Sequence, residues 1–316
     1  MAFTTITERG IQTRYQWTLQ HMQLESWVGD LSVDFGSDQE TEKYPFLGTA
    51  PAMREWLAGR RAATPSEYEF SITNKKFEAS EEIPCDYIRR AMGTHVDAFI
   101  QGLARRNVTH WGKLLADLVI AGESTACYDK QFFFDTDHPN QLGGTQSNDI
   151  SSATPVGTAT APSSTDFSDA INNGIEQLIG ITDDQGEPMN EGCTDFMVLV
   201  PTGFRTVAGT AIGNELLSNG TNVISNPISS YSGFNIRLAT TTRLSSWTTK
   251  FAMFCLDTPT TRPFIRQEES NMGHGLKVQG AGSDFEFEND KWKMGTQASR
   301  NVGYGAWESA CLVTLT

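Results

Sequence analysis

Between Thr94 and Ile120 apolar residues recur at spacings of three and four. Val96, Phe99, Ile100 and Leu103 share one stripe, and Trp111, Leu114, Leu115 and Leu118 resume it beyond a polar patch at 105–107. That period marks an amphipathic helix. Thr94, with Asp97 three residues on, supplies a start signal, and Gly122 an exit. At about 1.5 Å per residue the helix runs roughly 40 Å, so it is a backbone element along which other segments must be laid. The chain has 316 residues, more than the roughly 100–200 of one compact core. Two lobes, or one domain with large excursions, is the expectation.

Residues 1–47 are polar and mixed, with scattered aromatics at Tyr15, Trp17, Trp27 and Phe35. They read as an arm, partly helical, that packs against something else. Met53 to Leu57 carries a short helical signal after Pro51. Tyr68, Phe70 and Ile72 then alternate with Glu69 and Ser71, a half-exposed strand, and Phe77, Ala79 and Ile83 continue the extended pattern less regularly. The result is a thin, charged ribbon with Lys75 and Lys76 as a small basic spot. Its apolar face is too small to fold alone, because an isolated hairpin is marginal in water. A partner surface is required, on the same chain or on a neighbour. Tyr68, Phe70, Ile72, Lys75, Lys76 and Phe77 are therefore the candidate subunit-interface residues.

Beyond the long helix, residues 142–168 are rich in Gly, Ser, Thr and Pro and read as a linker. An α+β lobe of about ninety residues follows. It comprises a helix from Phe167 to Ile179, the buried strand "DFMVLVP", a helix in "GFRTVAGTAIGNELL", and strands at Tyr231 to Leu238 and Phe251 to Leu256. The tail from "DFEFENDKWK" onward has strand character and is expected to pair back with the first region.

Chemistry is suggested in one place, "KQFFFDTDHPN", where Asp135, Asp137 and His138 follow three phenylalanines. A metal site needs three or four converging ligands, and an extended segment sends Asp135 and Asp137 one way and His138 the other. The structural alternative has Phe132 to Phe134 anchoring a strand while the polar side chains bond to local backbone where Pro139 turns the chain. No catalytic, cofactor or metal residue is assigned, and a metal-dependent enzyme built on Asp135, Asp137 and His138 is the remote alternative. G-x-S-x-G, Walker, G-x-G-x-x-G and H-E-x-x-H motifs are absent. The formal charge of -14 disfavours non-specific nucleic-acid binding, which depends on Lys and Arg displacing counterions. Five cysteines, dispersed and without C-x-x-C, read as buried thiols in a reducing compartment. The N-terminus lacks the apolar core of a signal peptide, no pro-segment is expected to have been removed, and no run approaches the roughly 20 apolar residues of a membrane span.

Six segments, "YPFLGTAPAMREWLAGRR", "YEFSITNKKFEASEEIPCDYI", "CYDKQFFFDTDHP", "GGTQSN", "FCLDTPTTRPFI" and "RNVGYGAWESA", resemble in order and spacing the Mu-like phage major head subunit family. The resemblance spans roughly Tyr44 to Ala310. It implies an α+β, HK97-type capsid fold. The parts would be an N-terminal arm at 1–47, an E-loop region at 48–88, and a P-domain at 89–165 whose spine helix is about 94–120. An A-domain would follow at 166–260, and residues 261–316 would return to the P-domain. It further implies a major capsid protein of a tailed bacteriophage, assembling as hexamers and pentamers into an icosahedral shell around double-stranded DNA. The implied partners are a scaffold, a portal, a possible decoration protein and the enclosed genome, touched weakly and without specificity. The setting is a virion assembled in a bacterial cytoplasm, with no membrane. An encapsulin-like protein compartment is the near alternative.

Overall fold

A computed structural model describes residues 7–47, 67–90, 93–140, 144–152, 155–183, 186–219, 222–230, 233–257, 262–270 and 275–316. The helical signal at Met53 to Leu57 lies outside them. Helix α1 (Glu8–His21) is capped by Thr7, whose hydroxyl accepts from the Gly10 amide. Helix α2 (Ser26–Leu31) and strands β1 (Ser32–Ser37), β2 (Thr41–Leu47), β3 (Glu67–Thr73) and β4 (Lys75–Pro84) follow. Then come α3 (Cys85–Arg89) and the 29-residue α4 (Gly93–Ala121). Short strands β5 (His138–Asn140), β6 (Gly144–Gln146) and β7 (Asp149–Ser151) lead to α5 (Ser164–Gly180), whose first turn is closed by a capping box between Ser163 and Asp166. The chain continues through β8 (Asp195–Pro201), α6 (Arg205–Gly213), the hairpin β9 (Leu216–Asn219) and β10 (Asn222–Ser225), α7 (Pro227–Ser230), β11 (Asn235–Thr241) and β12 (Lys250–Cys255). The last elements are β13 (Phe264–Glu269), β14 (Leu276–Gln279), α8 (Asp284–Asn289), β15 (Lys291–Tyr304) and β16 (Ala310–Thr314).

Two sheets organise these elements. The first runs β1-β13-β15-β14, with β4 also paired to the long β15; the second runs β11-β8-β12-β16-β7. Helix α4 serves a core on each side of its midpoint. Val96, Ile100, Leu103 and Ala104 join Ile11 and Tyr15 of α1, Ile83 of β4, and Trp292 and Met294 of β15 in the smaller core. Trp111, Leu115, Ala116 and Val119 join α2, α5 and the second sheet in the larger one. The polar patch that interrupts the apolar stripe marks the junction. There Asn107 donates to the Tyr15 hydroxyl (3.1 Å), and Arg300 Nη1 donates to the Asn107 carbonyl at 3.0 Å. Helix α4 begins at Gly93, which places Thr94 inside the first turn instead of at the cap.

The segment 7–47 packs against something else as expected, and the surface is the chain's own: Tyr15, Trp27, Val28 and Leu31 are buried in its cores, and β1 pairs in parallel with β13. Three expectations change. The ribbon too is seated at home, since β4 pairs with β15 from Lys75 to Pro84 and β3 pairs with β2. The tail divides: β15 joins the first sheet as expected, but β16 enters the second, between β12 and β7. Its run of buried residues, Ala310 to Val313, has no polar face to present to water and so suits an inner strand. Finally, Cys193 and Cys255 form a disulfide although 62 residues apart, because antiparallel β8 and β12 bring the start of one beside the end of the other. Cys85, Cys127 and Cys311 are buried free thiols.

Gly305 locks the end of the β13–β15 pair. Its amide donates to the Pro263 carbonyl at 2.8 Å, and a Cβ there would collide with the Arg262 carbonyl oxygen, a backbone atom with little room to yield. Gly305→Ala is expected to cost about 1–3 kcal/mol through overpacking, read as a lower midpoint in urea denaturation. A midpoint equal to that of the unmodified chain would show that the strand ends separate freely.

Candidate functional site: a buried polar corner and the ribbon surface

After α4 ends, the chain reverses through a tight turn. Gly122 leaves room for the Phe134 ring, which a Cβ would strike at 2.6 Å. The Cys127 amide donates to the Gln131 carbonyl at 2.8 Å, and Lys130 closes the loop in the left-handed region at φ 74°. Phe133 and Phe134 are buried, Phe133 stacking on Tyr304 at 4.6 Å, while Phe132 is exposed. Only two of the three phenylalanines are therefore anchors.

The turn aims Cys127 and Asp129 at His138, which is wholly buried. His138 Nδ1 lies 2.6 Å from Asp129 Oδ2, and Nε2 lies 3.2 Å from Asn148 Oδ1. The Asn148 amide nitrogen donates to the carbonyls of Phe133 (2.8 Å) and Trp307 (3.3 Å), which fixes its oxygen as an acceptor. Both imidazole nitrogens thus face side-chain oxygens of other segments. The ring stacks on Trp307 at 3.7 Å and 5°.

The sequence-predicted trio is split. Asp135 and Asp137 do lie together, joined by a side-chain hydrogen bond that raises Asp137. Burial works against ionising Asp135, but hydrogen bonds from the Thr136 and Phe132 amides, with that from Asp137, hold its carboxyl below the ordinary range. So Asp135 bonds local backbone as expected. His138 does not; it bonds side chains from two other segments.

Cys127, Asp129 and His138 bring three potential ligand atoms within 4.8 Å of one another. Each is already engaged, since the Cys127 thiol donates to Asp129 Oδ1 at 2.9 Å. Burial opposes ionisation of Asp129, yet the hydrogen bonds from His138 and Cys127 prevail and keep it below the usual carboxylate range. The Cys127 thiol is pushed well up by burial and by the adjoining Asp129. As they stand, the three side chains hydrogen-bond one another and brace the turn. Beside it, burial raises the Glu308 carboxyl, whose Oε1 accepts from the Tyr128 hydroxyl. Asp129, Asn148, Trp307 and Glu308 carried no local sequence signal; they converge only through tertiary folding.

Of the ribbon candidates, Ile72 is 3% exposed and, with the partly buried Phe70, packs where Gly303 of β15 lacks a side chain. Phe77 meets His110 of α4 edge-on at 4.4 Å, and Lys75 and Lys76 are exposed. The Tyr68 side chain lies outside the described residues. Ile72 is thus corrected from a contact on a neighbour to a contact within the chain, because β15 offers a glycine gap that its side chain fills.

The fold and several relatives agree. Over 71% of this chain and 92% of the other, the structure matches the bacteriophage JBD30 capsid with a TM-score of 0.55 at 18% identity. The mature capsid of bacteriophage PhiM1 matches over 93% and 88% with a TM-score of 0.53 at 11% identity. The architecture is accordingly the HK97-like capsid fold. The Mu-like prophage FluMu major head subunit of Haemophilus influenzae is 32% identical over 120 residues, 37% of this chain and 39% of that one. The major capsid protein of Escherichia phage Mu is 31% identical over 115 residues, 36% and 37% of the two chains. These alignments span well under half of the curated relatives' length. The profile of the Mu-like prophage major head subunit gpT matches residues 4–163, half of the chain, and the chain belongs to that family.

Proposed function

We propose that this protein is the major head subunit of a Mu-like phage, assembling with copies of itself into a closed shell around a double-stranded DNA genome. The match of residues 4–163 to the gpT family carries this reading. The first sheet and α4 are assigned to the peripheral domain, and the second sheet with α5 and α6 to the axial domain. The corner at His138 is a joint between them. The shell acts by assembly and not by catalysis: each subunit makes several modest contacts, symmetry closes them, and multivalency makes the whole durable. Scaffold and portal proteins are the expected partners. The JBD30 capsid is decorated with minor capsid protein trimers, which supports a comparable decoration protein here. Negative surplus charge keeps contact with the enclosed DNA weak.

The purified chain should sediment as particles far larger than its 34.8 kDa and show closed shells by electron microscopy, alone or with its scaffold. A protein that stays monomeric under both conditions would overturn the reading.

A further inference from the structure

Two surface features unassigned in that shell complement one another. The first is a groove of about 290 Å3 between the middle of α4, strands β4 and β15, and the turn Thr242–Leu244. Phe77 and Ala298 give it an apolar wall, and Arg106, Lys113, Arg243 and Arg300 surround it. This is a concentration of cations in a chain of net charge -14. Arg106 and Lys113 are exposed and make no ion pair among the described residues, and Arg243 reaches only the Thr109 carbonyl, at 3.4 Å. Arg300, 2% exposed, spends its terminal nitrogens on Asn107 and Glu268, and its buried Nε has no partner. The positive field shows in His110, which burial, Arg300, Lys113 and Arg243 together push down to about 4. The one carboxylate of the lining, Glu78, accepts from Ser80.

The second feature is α8. Phe287 is 93% exposed, the most exposed large apolar residue described. Asp284, exposed and three residues before, shares its face of the helix, and the exposed Glu288 stands on the adjoining flank, one turn from Asp284. The helix is held rigid behind them. Glu286 turns inward, accepting from Trp292 Nε1 at 3.1 Å and the Gly282 amide at 2.7 Å.

We propose that α8 of one copy docks in this groove on a second copy, with Phe287 against Phe77 and Ala298 and with Asp284 and Glu288 toward Arg106, Lys113 and Arg243. Charge complementarity selects the occupant: an aromatic knob beside a pair of carboxylates meets an aromatic wall ringed by cations. The groove is at the lower limit of the roughly 300–1,000 Å3 that drug-sized ligands fill, so it takes one or two side chains and not a nucleic-acid duplex. Knob and groove are different patches of the surface, which makes the contact head-to-tail, the kind that propagates around rings. The inference rests on the shell reading, which it deepens by naming one of the contacts.

The test uses the full chain with the photo-crosslinker p-benzoylphenylalanine in place of Phe287. Irradiated particles should yield an intermolecular crosslink to 77–79, 106–113 or 296–300. A crosslink elsewhere, to nucleic acid, or none would overturn the docking. In parallel, Lys113→Glu and Glu288→Lys should each lower the assembled fraction at least ten-fold, and the two together should restore it. Single variants that assemble normally, or a double variant that does not recover, would also overturn it. If the unmodified chain forms no particles, it is the shell reading that fails.

Discussion

His138→Phe is expected to destabilise the folded chain by about 1–3 kcal/mol, the usual cost of leaving a buried hydrogen-bonding group without its partner. Phenylalanine can keep the stack on Trp307, so packing is largely spared. What is lost is the hydrogen bond to Asp129, whose side chain is only 5% exposed, and the one to Asn148. Asp129 keeps the Cys127 thiol and the Gln131 amide, which cannot offset a buried charge alone. Removing both partners, as in Asp129→Leu with His138→Phe, should cost less than the single change, because no orphaned carboxylate remains. Urea denaturation of the two variants decides this; a double variant weaker than the single one would mean that shape, not charge, holds the corner.

The same pair sets a pH dependence. Asp129 is held below its ordinary value in the folded chain. It therefore contributes stability that is present above its unfolded pKa of about 3.9 and is lost as pH falls through the lower folded value. Glu308 runs the other way. Its raised folded value means a contribution present in acid and lost as pH rises through it. The His138 hydrogen bond leads the interactions that lower Asp129, so its removal makes Asp129 easier to protonate and the penalty of His138→Phe should shrink toward acid pH. A penalty that instead grows toward acid pH would overturn the pairing of His138 with an ionised Asp129.

Ile72→Ala is expected to lower subunit stability by about 2–5 kcal/mol, the range for emptying a buried aliphatic site. Ile72 fills the space that Gly303 leaves over β15, and Phe70 shares it. A ribbon that found its burial only on neighbouring copies would behave in the opposite way. Its alanine variant would denature at the same urea concentration as the unmodified chain and fail only in forming particles. An unchanged midpoint together with lost assembly would thus overturn the intrachain packing described here.

How much was legible follows from what each signal needs. The α4 pattern was readable because helical periodicity is local, and the expected span of 94–120 differs from Gly93–Ala121 by one residue at each end. The alternation at Phe70 and Ile72 correctly gave a strand with one apolar face. What that face would meet was not local information, and Gly303, more than 200 residues on, supplied the answer. The same limit explains the His138 corner. The sequence displayed Asp135, Asp137 and His138 side by side, whereas the working partners of His138 come from the preceding turn, from Asn148 and from Trp307. Cys193 and Cys255 escaped notice for the same reason, since only the β8–β12 register makes them neighbours.

The placement of β16 carries a kinetic consequence. Residues 310–314 sit inside a sheet whose other members begin at Asp149, and β15 just before them binds a strand that starts at Lys75. Pairings that distant in sequence close slowly, because loop entropy is spent before contacts repay it. Synthesis must therefore pass residue 304 before the first sheet can close and residue 314 before the second can, so a prematurely terminated chain lacks the strand that completes a sheet.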